Sequence, residues 1–172
     1  MKRFYCAVLL VIVIISSSAA ALAWKRVHLE SAGTISIPQS WNVLEGNSAV
    51  IENAYGPGVS CRTLLNTESD NATMTVLVYW PYSENIAKKF AADMADTLRK
   101  RYASSSRPRF SEMKLGTFRA SSVTYGIDGA NDQKVTAFVN GGKVYCLITS
   151  YSHLQDHAIY TLMRNMISRW QF

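Results

Sequence analysis

The chain has 172 residues with 18 Lys and Arg against 12 Asp and Glu, a formal charge of +6. That length suits one domain, and the absence of internal repeats or low-complexity tracts excludes a repeat array. A mildly basic balance favours anionic partners or surfaces without specifying nucleic acid.

The first residues carry Lys2 and Arg3, an apolar run from Cys6 to Ile15, and Ala21-Leu22-Ala23. This is the layout of a secretory signal peptide over residues 1–23, with an apolar core about half the length a membrane-spanning helix needs. Cleavage after Ala23 leaves residues 24–172 as a single exported domain, with the bacterial periplasm as the expected compartment; a retained N-terminal anchor is the alternative. Without Lys2 and Arg3 the formal charge is +4.

"WKRVHLE" and "GTISIP" alternate apolar and polar residues as half-buried strands do, and Pro38 closes the second, with Trp41 just beyond. "SAVIENAY" and "GVSCRTLL" read as another strand pair around the turn Gly56-Pro57-Gly58, and "ATMTVLVYW" as a central strand. Asn71-Ala72-Thr73 matches a glycosylation acceptor pattern that matters only in a eukaryotic cell.

The period then changes. Ser83 can cap a helix from Glu84 to about Tyr102, with Ile86, Phe90, Met94, Thr97 and Leu98 as its inward stripe and Ala87 and Ala91 on the margin. Ser104 to Phe110 reads as a linker. Strands resume in "MKLGTF", "ASSVTYGI", "QKVTAFV" and "KVYCLITSY". Asn140-Gly141-Gly142 is a strong hairpin signal; with Gly141-Gly142 as the loop, Phe138 lies opposite Tyr145 and Ala137 opposite Cys146. "DGAND" joins the two strands before it, and a turn explains it better than a calcium loop, since Gln133 and Val139 occupy the positions where an EF-hand needs Gly and Glu. Ser152 and Gln155 resemble a capping box, predicting a terminal helix with Ile159, Leu162, Met163, Met166, Ile167 and Trp170 inward.

Three groups of residues invite a chemical reading. His153 and His157 are four apart, as a helical metal pair would be, yet they fall on the polar flank of that helix with Arg164 and no completing cluster. They read first as exposed histidines; a metal-dependent hydrolase using them with His28 is the alternative. Cys61 and Cys146 remain after export, and an even pair in an oxidising compartment reads first as a disulfide. Its 85-residue loop would contribute about 4–5 kcal/mol in the chain-entropy model. Unpaired buried thiols are the rival, and a catalytic thiolate is disfavoured by export. Arg99, Lys100, Arg101, Arg107 and Arg109 gather within eleven residues around Tyr102 and Phe110. They either solvate a helix end and a loop or bind an acidic protein or an anionic surface; export makes nucleic acid a poor candidate. No G-x-S-x-G elbow, phosphate-cradling glycine loop or H-E-x-x-H occurs.

"GTISIPQSW", the helix at Glu84–Tyr102, the strands from Val135 to Ser150 and the ending "MISRW" occur in an order that resembles PsbP-like and DcrB-like proteins from about residue 33 to 170. The resemblance implies an α+β fold in which an antiparallel sheet is flanked by a central and a C-terminal helix, with no enzyme activity, shared catalytic residues or cofactor. Family members serve as assembly factors, adaptor chaperones and exported envelope proteins. Unlike many exported bacterial members, this chain lacks a lipobox cysteine. The resulting expectation is a non-catalytic envelope protein that binds a protein partner or small ligand, with an exported immunity or inhibitor protein as a second form of the same idea.

Overall fold

The structure, a computed structural model, describes residues 23–29, 32–45, 59–66, 72–79, 84–115, 117–152 and 156–172. Residues 1–22 of the expected signal segment, "SAVIENAY", the Gly56-Pro57-Gly58 turn and His153 lie outside them, as do the side chains of Cys61, His157 and Ile159.

Two strands, β1 (Trp24–Leu29) and β2 (Gly33–Pro38), form an antiparallel hairpin with Val27 opposite Ile35. The other seven build one sheet: β3 (Trp41–Glu45), β4 (Val59–Asn66), β5 (Thr73–Tyr79), β6 (Ser106–Leu115), β7 (Phe118–Gly126), β8 (Asn131–Asn140) and β9 (Lys143–Ser152). Their order across the sheet is β3-β4-β5-β9-β8-β7-β6, and every neighbouring pair is antiparallel. Helix α1 (Glu84–Tyr102) carries the chain from the interior strand β5 to β6 at the far edge, and α2 (Asp156–Ser168) follows β9.

Strand alternation divides the apolar residues between two faces. One face presents Met74, Val76, Val78, Phe138, Tyr145 and Leu147 to a large core that the hairpin closes with Leu29, Ile35 and Ile37 and α2 closes with Met163 and Met166. Fully burying one such side chain contributes about 1.5–3 kcal/mol, so this face dominates stability. Phe138 stacks on Tyr145 at 5.1 Å, and Trp170 and Phe172 meet both rings edge-on. Trp170 donates its indole N–H to the carbonyl of Ala32 at 2.7 Å, satisfying a buried group. Beside it, Thr34 and Gln171 exchange backbone hydrogen bonds of 2.7 and 2.8 Å. Gly33 makes that approach fit: its φ is +87°, and a Cβ there would lie 2.2 Å from the Gln171 carbonyl oxygen. The other face is covered by α1, whose Leu98 packs with Val123 and Val135.

The expected architecture is the one observed, with differences of detail that have physical causes. The inward stripe of α1 is Ala87, Met94 and Leu98, while Ile86 and Phe90 stay 51% and 40% exposed. Small Ala87 lies in line with Met94 and Leu98 at 100° per residue; the bulkier pair sits on the flank. Trp41–Glu45, too short and mixed to show a period, pairs with β4 as an unforeseen edge strand. The expected linker from Ser104 is mostly strand: β6 starts at Ser106, its register shifts between Ser106 and Arg109, and Arg107 takes φ 50° there. This is a bulge next to Pro108, which has no N–H for the ladder. "MKLGTF" is divided by the turn between β6 and β7. Ser152 ends β9 instead of capping the terminal helix, which begins at Asp156. Among the described residues, no helix is long and apolar enough to cross a membrane.

Candidate functional site

The five clustered basic residues come from the last turn of α1 and the first half of β6. Lys, Arg and Arg in a final helical turn complement the exposed carbonyls there. The bulge then decides where the following arginines go. Arg99 lies 6.0 Å from the Phe110 ring centroid and 3.7 Å from the Asp96 carboxylate. Both members of that ion pair are mostly exposed, so it contributes little, up to about 1 kcal/mol. Arg101 leans over Tyr102, which stacks on Tyr125 of β7 at 5.0 Å and so anchors the helix end to the sheet. Lys100 points to solvent.

Arg109 behaves differently. It stands opposite Thr124, in alternation with Phe110, and therefore on the face away from α1. Its guanidinium reaches across β7 to the Asp132 carboxylate at 3.4 Å. The expected single patch is thus split: Arg99 and Phe110 on the α1 side, Arg109 on the other, and Arg107 on the bulge between them at the rim.

Between α1 and β6–β7 lies a groove of about 220 Å³ lined by Ala95, Leu98, Arg99, Phe110, Glu112 and Ser121. On the opposite face of the same two strands, the hydroxyls of Ser111 and Ser122 are 2.8 Å apart and tie β6 to β7. Glu112 is 3.9 Å from Arg119, and both are well exposed. β6 has no strand on its outer side among the described residues. The groove was not foreseen. Alternation in the sequence covers only Met113 to Leu115, because Phe110 is three residues before Met113 and falls on the other face.

The other candidates resolve separately. Asp128 accepts hydrogen bonds from the backbone N–H groups of Ala130 and Asn131, both at 2.7 Å, and from the Asn131 side chain. These bonds hold its carboxyl below the usual range, and "DGAND" is a side-chain-capped turn. His28 is exposed on β1, 3.4 Å from the Thr34 hydroxyl. Among the described residues no three His, Cys, Asp or Glu side chains gather as a metal set would.

The expected disulfide is corrected. Cys146 is a free thiol. Cys61 pairs with Leu77 on one side of β5, and Leu77 pairs with Cys146 on the other. Two strand spacings, roughly 9–10 Å, separate the two backbones, well past the roughly 4.4–6.8 Å between α-carbons that a bridge requires. Cys146 instead packs against Leu77, Val135 and Ile148, and this burial pushes its thiol up to about 11, against a smaller opposite pull from Arg101. A second cavity, about 30 Å³ between α2 and the sheet beside Met113, Leu147 and Met163, has room for about one water.

No family model matches the sequence, and no curated protein matches it. Solved structures do. The solution structure of cyanobacterial PsbP (CyanoP) from Synechocystis sp. PCC 6803 superposes with a TM-score of 0.57 at 11% identity, covering 90% of this chain and 96% of that one. A crystal structure from Bacteroides thetaiotaomicron VPI-5482 gives 0.51 at 12% identity, covering 80% of this chain and 44% of that one. LpqN of Mycobacterium tuberculosis, described as involved in cell envelope biogenesis, gives 0.48 at 14% identity over 85% and 87%. At such identities the likeness is one of fold, and the fold is PsbP-like.

Proposed function

We propose that this chain is an exported, non-catalytic adaptor or assembly protein of the cell envelope, of the PsbP-like and DcrB-like kind, that recognises an acidic protein partner through the edge formed by α1 and β6. The observation that carries this reading is the groove in which Arg99 lies against Phe110 beside a strand that, among the described residues, ends the sheet. A cation held near an exposed ring and an open groove is the composition of a recognition surface. The signal-like N-terminus supports export to the periplasm. Cys146 supports the non-catalytic side, because a nucleophile needs its thiolate favoured and burial here favours the thiol.

The test is affinity capture from the native envelope with the wild-type chain and with Arg99, Arg101 and Arg107 changed together to Ala. The expected result is loss of the captured partner while the melting temperature moves by less than about 2 °C, since exposed substitutions cost little. Equal capture by both forms would show that the basic residues are merely solvated.

A further inference from the structure

We infer that β6 is a docking strand: an extended acidic segment of a protein partner adds to it as an eighth strand of the sheet. The inference rests on the basic-edge reading above and specifies how that edge binds. Among the described residues, β6 is the last strand of the sheet on its side. Counting back from the closing pair Leu115–Phe118, alternate residues turn their N–H and C=O toward β7, and those of Phe110, Glu112 and Lys114 point along the open edge. Proteins usually blunt such an edge with a bulge or a proline. Here both devices, the register shift and Pro108, lie between Ser106 and Arg109, so Phe110 to Leu115 stays regular.

Geometry and charge then select the occupant. A strand laid about 4.8 Å outside β6 would put alternate side chains on the α1 face, over Phe110, Glu112 and the groove. From residue 99 to 119 there are seven basic residues (Arg99, Lys100, Arg101, Arg107, Arg109, Lys114, Arg119) and one acidic, Glu112. That imbalance disfavours pairing with the β6 of a second copy, which would bring like charges together, and favours a segment rich in Asp or Glu. A lipid surface would meet the charges but would leave the outward N–H and C=O groups without the ordered partners a strand supplies.

The probe is a fluorescein-labelled eight-residue peptide of alternating Glu and Val, titrated with the full chain and read by anisotropy. Saturable binding is expected, weakened at least about tenfold when all backbone amides of the peptide are N-methylated and when Glu112 is changed to Pro. If Glu112→Pro lowers the melting temperature, the methylated peptide alone decides. Binding that resists methylation yet is lost in the Arg99, Arg101, Arg107 alanine form overturns strand addition and leaves the basic-edge reading standing. Binding equal in that alanine form removes both. No binding at all, or binding only to phosphatidylglycerol vesicles, overturns the docking strand.

Discussion

Cys146 shows how one residue's role depends on neighbours far from it in sequence. Counting cysteines suggested a bridge to Cys61, because parity and compartment are visible in the sequence and the interposed strand β5 is not. The consequence of its apolar setting is a thiol that resists ionisation, about 11 against an ordinary value near 8.5. Burial raises the Tyr145 hydroxyl in the same direction. For such groups the folded state holds the proton more tightly than the unfolded one. Stability is therefore fully present below about pH 8.5 and falls as pH rises toward 11. Urea midpoints at pH 7, 9 and 10.5 should decline, and the decline should be shallower in Cys146→Ala. An identical alkaline slope in the variant would mean that Cys146 is solvated in the native state.

At the scale of elements, legibility followed locality. The β8–β9 hairpin was readable to the residue, Phe138 opposite Tyr145, because Gly141 and Gly142 adopt φ of 56° and 74° and so set the register from two positions. The rotation of α1 was not, since Ile86 and Phe90 satisfy a helical period as well as Ala87 and Met94 do, and only the sheet beneath selects the axis. The side on which Arg109 emerges was equally hidden, because the bulge precedes it and strand parity decides its face. The contact of β2 with the segment after α2 lends itself to measurement. Gly33→Ala should destabilise the fold by on the order of 2–4 kcal/mol, because the new methyl would run into the Gln171–Phe172 backbone and the φ of +87° disfavours any side chain. Gly129→Ala, with open space around it, should stay within about 0.5 kcal/mol by the same urea titration. Equal effects at both positions would mean that the β2 contact yields easily.

For the whole molecule, the order of strand and helix periods was legible, and the family resemblance it carries implied the antiparallel sheet between two helices that is observed. The groove was not legible, because it forms only when α1 crosses from β5 to the far edge and lies down beside β6. That placement concentrates positive charge on one side, and recognition there should depend on ionic strength. Raising salt from about 0.05 to 0.5 M shortens the screening length from roughly 14 to 4 Å, and binding of the acidic peptide should weaken by about tenfold or more. Affinity independent of salt would point to Leu98 and Phe110 in the groove and away from the arginines.

The bridge between Thr34 and Gln171 joins positions 137 residues apart. A nascent chain emerging N-terminus first makes β1 and β2 early, yet their apolar side must wait for Trp170 before it can settle. The domain therefore closes late, with the slow kinetics of distant pairing. A product interrupted before Trp170 would display an unfinished oily surface that proteases and chaperones can recognise.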